Sequence, residues 1–415
     1  MLKKGLQSYR DNLQRSTRNS KLFLTACFFI FLSLGGIRVI LNLYLQTLGF
    51  SEQFIGSLSS IRFITAGAVA IPAAIYASRI GFKKALLTAA LLISTALAGM
   101  ALSTMKPFLI FFNILWGAAN MVLGVIAAPF LVVNSSPQER PHLFSINFAL
   151  RMITGMAGNF AGGFLVARLK LSLAAVPAYQ FTILSFALLS IIGLIPLFLI
   201  QNQAATERDG FGKLITRFKD LVTANHNVQR LVIYSIFIGI GAGMIVPLFN
   251  IFLHNKLGAG DAHIGTIMAL SQVATALGAL LTPFIITILG RIKTVVLPQV
   301  LSIPFLLLIG LAGNIYIVGT AYLFRMALMN MVNPVTSNFA MEIVPEGDRA
   351  NTNSVLRSIR RIGRGIGSFF SGIMLGEQIY LLPFIITAIL YVSASSVFFL
   401  SFNKHDSSPH AGQSA

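Results

Sequence analysis

Runs of apolar residues long enough to cross a lipid bilayer follow one another along almost the whole chain, separated only by short polar breaks. A stretch of ~20 apolar residues matches the ~30 Å hydrocarbon core as an α-helix. In lipid the backbone must bond to itself, which leaves helices or a closed barrel as the only spanning structures. The two-residue alternation of a barrel strand is absent from this sequence. The runs predict helices over 22–47, 53–78, 83–103, 107–132, 142–168 and 175–201, then over 228–255, 262–289, 293–313, 314–340, 351–376 and 379–402. Composition agrees, with 55% hydrophobic and only 10% charged residues, against about 25% charged in soluble domains. The fold class is therefore an all-α membrane protein of twelve transmembrane helices. The first run is too long for a signal-peptide core and lacks a small-residue cleavage site, so it is read as a retained helix. Cys27 is the single cysteine, which excludes a disulfide framework and leaves it as packing.

These runs give a domain plan. Residues 1–21 form a basic amphipathic cytoplasmic segment and 22–201 a first six-helix half. Residues 202–227 form a cytoplasmic linker, 228–402 a second six-helix half, and 403–415 a disordered tail. In the linker, Phe211, Leu214, Ile215 and Phe218 recur at helical spacing among Lys213, Arg217 and Lys219, the pattern of a helix lying on an anionic membrane surface. With both termini inside, the inner segments hold Lys3, Lys4, Arg79, Lys83, Lys84, Arg140, Arg217, Arg291, Lys293 and many more cations. The outer loops hold only Lys106, Arg168, Lys170 and Lys256. That bias fixes the orientation and predicts a multi-pass protein of the cytoplasmic (inner) membrane. The net charge of +19 follows from topology and from cations inside the membrane, so no nucleic-acid partner is implied.

The two halves repeat. A shift of 209 residues places Leu48-Gly49 on Leu257-Gly258, Ile55-Gly56 on Ile264-Gly265, Gly81 on Gly290 and Lys84 on Lys293. The same shift carries Arg140, Arg151, Gly158, Phe160 and Gly163 onto Arg349, Arg360, Gly367, Phe369 and Gly372. Apolar bias alone does not superpose glycines and cations at one offset. Two such parallel halves are a transporter architecture.

Over essentially its whole length the chain resembles the major facilitator superfamily. The family's loop signature G-x-x-x-D-R-x-G-R-K falls on Ala74 to Lys83, where Arg79, Gly81 and Lys83 match and Ala74, Ser78 and Phe82 depart; Gly290, Arg291 and Lys293 echo it in the second half. The resemblance implies gating by this loop, with Arg79, Gly81, Lys83, Arg291 and Glu342 as gating candidates. It also implies pseudo-symmetric halves around a central cavity. Gly158-Asn159-Phe160-Ala161-Gly162-Gly163 resembles the antiporter signature G-P-x-x-G-G with Asn159 in place of proline, a stretch that close helix packing explains by itself. Where many proton-coupled exporters of the family carry a membrane arginine, this chain has Asn113, ahead of Gly117.

Charge inside the membrane carries the functional information. Arg38, Arg62, Arg151, Arg325, Arg357, Arg360, Arg361 and Arg364 fall within predicted helices, whereas every acidic residue falls outside them or at their ends, Glu342 being the deepest. An arginine at the centre of a membrane helix costs ~2.5–3.5 kcal/mol unless water or a partner receives it. In the resembled family the helices bearing these arginines surround the cavity. Guanidinium suits carboxylate or phosphate because its fork donates two parallel hydrogen bonds. The substrate-binding candidates are thus Arg38, Arg62, Arg151, Arg325, Arg360 and Arg364, with Asn113, Asn120, Asn250 and Asn330 as neutral donors. Arg357, Arg360, Arg361 and Arg364 share one helix face, and a gate latch reaching carbonyls or Glu342 is the competing role for that stripe.

The reading is a secondary active transporter, acting as a monomer, that moves an organic anion by alternating access. The anion is a phosphorylated or carboxylated solute or an anionic lipid headgroup, and membrane lipids are the other partners. A multidrug exporter is the alternative, although cationic drugs prefer an acidic cavity; a non-transporting membrane sensor or scaffold is the alternative of another class. No enzyme is expected, because no nucleophile–base or carboxylate pair lies at mid-depth. No cofactor and no metal are expected, and no G-x-x-x-x-G-K-[ST] motif offers ATP binding.

Overall fold

The computed structural model describes residues 16–201, 216, 222–223, 225–345 and 349–403, which are helices joined by short turns, with no strand among them. Most of the basic N-terminal segment, the apolar linker positions named above and most of the C-terminal tail lie outside the described residues. In chain order the helices are α1 (Arg18–Thr47), α2 (Glu52–Ala68), α3 (Ala70–Ile80), α4 (Phe82–Leu102), α5 (Lys106–Val133), α6 (Arg140–Leu169), α7 (Ala175–Ile192) and α8 (Leu194–Phe198). They continue with α9 (His226–Ile245), α10 (Phe249–Leu257), α11 (Asp261–Leu289), α12 (Arg291–Leu311), α13 (Ile315–Glu342), α14 (Arg349–Gly376) and α15 (Leu382–Phe402). Among the described residues nine helical stretches are long and apolar enough to span a membrane, with α7–α8 and α9–α10 each counted as one stretch, and the bent pair α2–α3 supplies a tenth. Helices α6 and α14 have the length, 30 and 28 residues, but carry arginines along it. All twelve predicted segments are helical.

Three of these segments are broken where the sequence reads as one run, and a proline stands at or just past each break. Proline lacks the N–H that would bond the carbonyl four residues back and crowds that turn. Pro72 follows the end of α2 at Ala68, where the chain bends by 54°. Pro196 likewise follows the end of α7 at Ile192, and Pro247 sits between α9 and α10. Pro129, Pro283, Pro298, Pro304 and Pro334 are accommodated inside their helices.

The repeat is structural as well as textual. Helices of the second series begin 209 residues after their counterparts: Glu52 and Asp261, Phe82 and Arg291, Lys106 and Ile315, Arg140 and Arg349. Among the described residues the four glycines with positive φ form two repeat pairs, Gly49 (86°) with Gly258 (62°) and Gly81 (84°) with Gly290 (75°). Only glycine enters this region without a Cβ penalty, so each half needs glycine at the same two turns.

The chain divides into two compact units. One comprises Met1–Phe50, Ala68–Gly210 and Gly260–Ala269; the other comprises Ser51–Gly67, Phe211–Ala259 and Leu270–Ala415. In the first, α1 packs along α6 and α7, and α4 along α5 and α7; in the second, α9 packs along α14 and α15, and α12 along α13 and α15. Small residues set these approaches. A Cβ on Gly158 would meet the Gly36 nitrogen at 2.8 Å in the first unit, and one on Gly239 would meet the Arg360 carbonyl at 2.6 Å in the second. Repeat-related glycines also hold the segment each unit takes from the other sequence half. A Cβ on Gly163 would lie 2.9 Å from Cα of Gly265, and one on Gly56 would lie 2.7 Å from Cα of Gly372. Large apolar side chains such as Leu280, Phe284, Leu311 and Leu400 are exposed, as expected of surfaces facing lipid. Polar side chains inside the units bond to one another: in the second, Gln299 donates to the Tyr234 hydroxyl and accepts from Ser395 at 2.9 Å.

Candidate functional site

Two charged side chains are buried among the described residues, Asp261 in the first unit, 8% exposed, and Arg325 in the second, 1% exposed. Their partners separate them. Asp261 opens α11, where the unpaired N–H groups of the first turn favour an anion. Its carboxylate pairs with the Lys170 ammonium at 2.6 Å and accepts a short hydrogen bond from the Tyr179 hydroxyl. Lys170 also lies 4.4 Å from the Tyr179 ring centroid. This acid is fully compensated, and it ties the start of α11 to α6 and α7. In the sequence both Asp261 and Lys170 read as outer-loop residues. The repeat holds a signal, since Asp261 is the mate of Glu52. In the second unit Glu52 accepts from Asn255 at 2.9 Å. It also faces Tyr380 in the turn before α15, whose phenol pKa is pushed up by burial and by the neighbouring carboxylate.

Arg325, near the middle of α13, has no such counter-charge among the described residues. One guanidinium nitrogen donates to the Tyr391 hydroxyl at 3.1 Å, another lies 3.9 Å from the Met326 sulfur, and Nε has no partner among the described residues. A cation held this way keeps its charge and part of its donor capacity unanswered, a costly state in a dry interior.

Other predicted residues of the second unit join into a polar ladder. Arg360 of α14 donates to Asn333 at 3.2 Å, Asn333 donates to Asn330 at 3.1 Å, and Asn330 donates to Thr275 of α11 at 3.3 Å. Arg360 Nε is also without a partner among the described residues. Arg62 of α2 and Arg364 of α14 lie 5.4 and 5.6 Å from the centroid of one ring, Phe63, and Arg62 also donates to the Ser59 hydroxyl at 3.4 Å. In the first unit Arg151 places its guanidinium 4.6 Å from the Phe31 centroid, and Arg38 is exposed on α1. Arg151, Arg325 and Arg360 each lack an acidic partner among the described residues.

The asparagines go elsewhere. Asn113 is buried and donates to the Met100 sulfur at 3.3 Å and the Leu109 carbonyl at 2.9 Å, which ties α5 to α4. Asn250 is buried at the first turn of α10, where it accepts from the Ile251 N–H at 3.0 Å, and Asn120 is half-buried on α5. Asn159, which replaces the proline of the antiporter signature, donates to the Met268 carbonyl at 2.9 Å. Beside the Gly163–Gly265 approach it fastens α6 to α11, a role its sequence context does not disclose.

At the loop signature, Arg79 is exposed in the last turn of α3, Gly81 makes the positive-φ turn and Lys83 is half-buried in the first turn of α4. Ser78, standing where the signature has Asp, donates to the Ile75 carbonyl of its own helix at 2.8 Å. In the second unit Arg291 pairs with Glu342, both about half exposed. Glu342 is therefore joined to α12 and not to the arginine stripe of α14.

The Major Facilitator Superfamily family model matches residues 23–228 and 231–415. The chain belongs to the major facilitator superfamily. Solved structures of this fold resemble it over nearly its whole length. A bacterial homologue of the human lysosomal transporter Spinster, inward-facing and unoccupied, shares 16% identity at a TM-score of 0.77, covering 95% of this chain and 99% of that one. The nucleoside transporter NupG shares 17% identity at 0.77, covering 92% and 99%. The human organic anion transporter MFSD10 shares 16% identity at 0.63, also covering 92% and 99%. At these identities the likeness is one of fold. No curated protein sequence matches the chain.

Proposed function

We propose that this superfamily member is a secondary transporter that carries an organic anion across the cytoplasmic membrane by alternating access, acting as a monomer with both termini inside. The observation that supports it is Arg325. Of the two buried charges, Asp261 has its cation and Arg325 has no anion among the described residues. Arg151 and Arg360 repeat the pattern, with an aromatic face and an amide as their partners. An interior that retains cations, and whose one buried acid among the described residues is matched to a lysine, is suited to an incoming negative charge. It is poorly suited to the cationic compounds that a multidrug exporter would carry. MFSD10, described as an organic anion transporter, has the same fold.

A thermal-shift screen of the purified protein against organic anions, with cationic dyes as the contrast, tests the proposal. A ligand at a hundred times its Kd adds about 2.7 kcal/mol to the native state, so binding anions should raise the melting temperature. Hits should then exchange across proteoliposomes, and Arg325→Met should abolish that exchange while the protein still folds. Stabilisation by cationic or neutral compounds alone would overturn the proposal.

A further inference from the structure

The partner of Arg325 is as informative as the arginine. Tyr391 lies 66 residues further along, in α15, a helix that carries no arginine. Its hydroxyl oxygen accepts from the guanidinium at 3.1 Å, and the guanidinium carbon lies 5.8 Å from its ring centroid. An oxygen that accepts from Arg325 turns its own proton away from it. A phenol hydroxyl donates as well as accepts, and among the described residues nothing accepts that proton. The guanidinium is short of acceptors too. Of its five N–H donors, one reaches an oxygen among the described residues; Nε reaches none, and another nitrogen stands 3.9 Å from the Met326 sulfur. Both side chains are 1% exposed. Buried donors left unanswered are costly, and here they sit side by side.

The pair is also held in place. A Cβ on Gly241 of α9 would meet Tyr391 Cε1 at 2.6 Å, so the ring lies directly against that helix. Thr387, one turn before Tyr391 on α15, donates to the Gly241 carbonyl at 3.2 Å. The ring belongs to the buried cluster that includes Tyr234 and Phe398. Its hydroxyl therefore has a fixed position beside Arg325.

We propose that Tyr391 is a second anion-binding donor of the Arg325 site, and that this site takes a carboxylate. This rests on the anion-transport reading and narrows its substrate class. The guanidinium supplies one positive charge and the phenol none, so together they balance a monoanion. A carboxylate has two oxygens in one plane; one accepts from the guanidinium and the other from the phenol O–H. Tyr391 orients Arg325 by accepting from it and touches the substrate by donating.

The full chain in phosphatidylcholine nanodiscs is titrated with benzoate, its neutral analogue benzamide and phenyl phosphate at pH 7.5. Benzoate should bind at least about tenfold more tightly than either. Tyr391→Phe keeps the ring on Gly241 and removes the hydroxyl, and should weaken benzoate roughly ten- to a hundredfold. Replacing Tyr391 by 3-fluorotyrosine makes the hydroxyl a stronger donor and a weaker acceptor, so benzoate should bind more tightly. Weaker or unchanged binding there would show a hydroxyl that only braces Arg325, and would overturn the proposal. That comparison decides the matter even if Tyr391→Phe folds poorly. A lower melting temperature of Tyr391→Phe with unchanged benzoate affinity would overturn it as well. If phenyl phosphate binds in preference to benzoate, the carboxylate assignment fails and the anion-transport reading stands. If no anion binds and Arg325→Met leaves transport intact, both fail.

Discussion

Removing the cation beside Asp261 should be among the most damaging single changes to the first unit. The carboxylate side chain is 9% exposed and the Lys170 side chain 30%, with 2.6 Å between them. Breaking a buried pair costs about 3–5 kcal/mol because a charge is left uncompensated. Lys170→Met strands the buried acid on the Tyr179 hydroxyl alone, so a loss near ~3 kcal/mol is expected. Asp261→Asn should cost less, about 1–2 kcal/mol, because the partly exposed ammonium can turn to water. The Arg291–Glu342 pair, with side chains 53% and 50% exposed, is the internal standard; Glu342→Gln should cost under about 1 kcal/mol. Thermal denaturation of the purified variants should show melting temperatures falling in that order, by roughly 2–4 °C per kcal/mol. The double variant should recover part of the Lys170→Met loss, since it carries no stranded charge, and a double-mutant cycle measures that recovery. Equal losses for Lys170→Met and Glu342→Gln, or strict additivity in the cycle, would refute the reasoning.

Three further outcomes are expected. Gly56→Val should weaken the α2–α14 approach and lower both folded yield and transport, because its Cβ would lie 2.7–2.8 Å from backbone atoms of Gly372 and Ser368; Gly49→Ala, with open space around its Cβ but φ at 86°, should cost only the ~1–2 kcal/mol of a left-handed backbone. Thermal denaturation and flux on the same preparations separate these two effects. Arg151→Gln and Arg360→Gln should each weaken anion affinity roughly ten- to a hundredfold, about 1.5–3 kcal/mol, with lysine rescuing only in part; unchanged affinity alongside a lower melting temperature would assign both to helix packing. Reporter fusions at both termini and after Gln203 should read cytoplasmic and one near Glu377 external, and opposite signals at the two termini would contradict an even number of spans.

The helices, their order and their duplication are legible in the sequence because each rests on something local. A run of apolar residues needs no distant partner to be driven into lipid, and lipid then obliges it to be helical. Gly81 and Gly290 fit their turns on local grounds, since no other residue adopts positive φ so cheaply, and the repeat marks Gly49 and Gly258 as a second matched pair. The breaks after Ala68, Ile192 and Ile245 are not legible in the same way, although Pro72, Pro196 and Pro247 stand in plain view. Pro129 and Pro334 stay inside unbroken helices, so proline alone does not decide where a membrane helix parts.

By itself, then, the sequence determined the class, the twelvefold succession, the repeat and the scarcity of acid inside the membrane. Tertiary structure alone decided which charges are answered. Lys170 and Asp261 stand 91 residues apart, and nothing near either predicts the other. Arg364 reaches the Phe63 ring, 301 residues earlier in the chain, where glycines bring α2 and α14 close together. Composition counts charges but does not pair them. Pairing depends on approaches of a few ångströms between segments distant in the chain, which are set by the packing of side chains that no local pattern records.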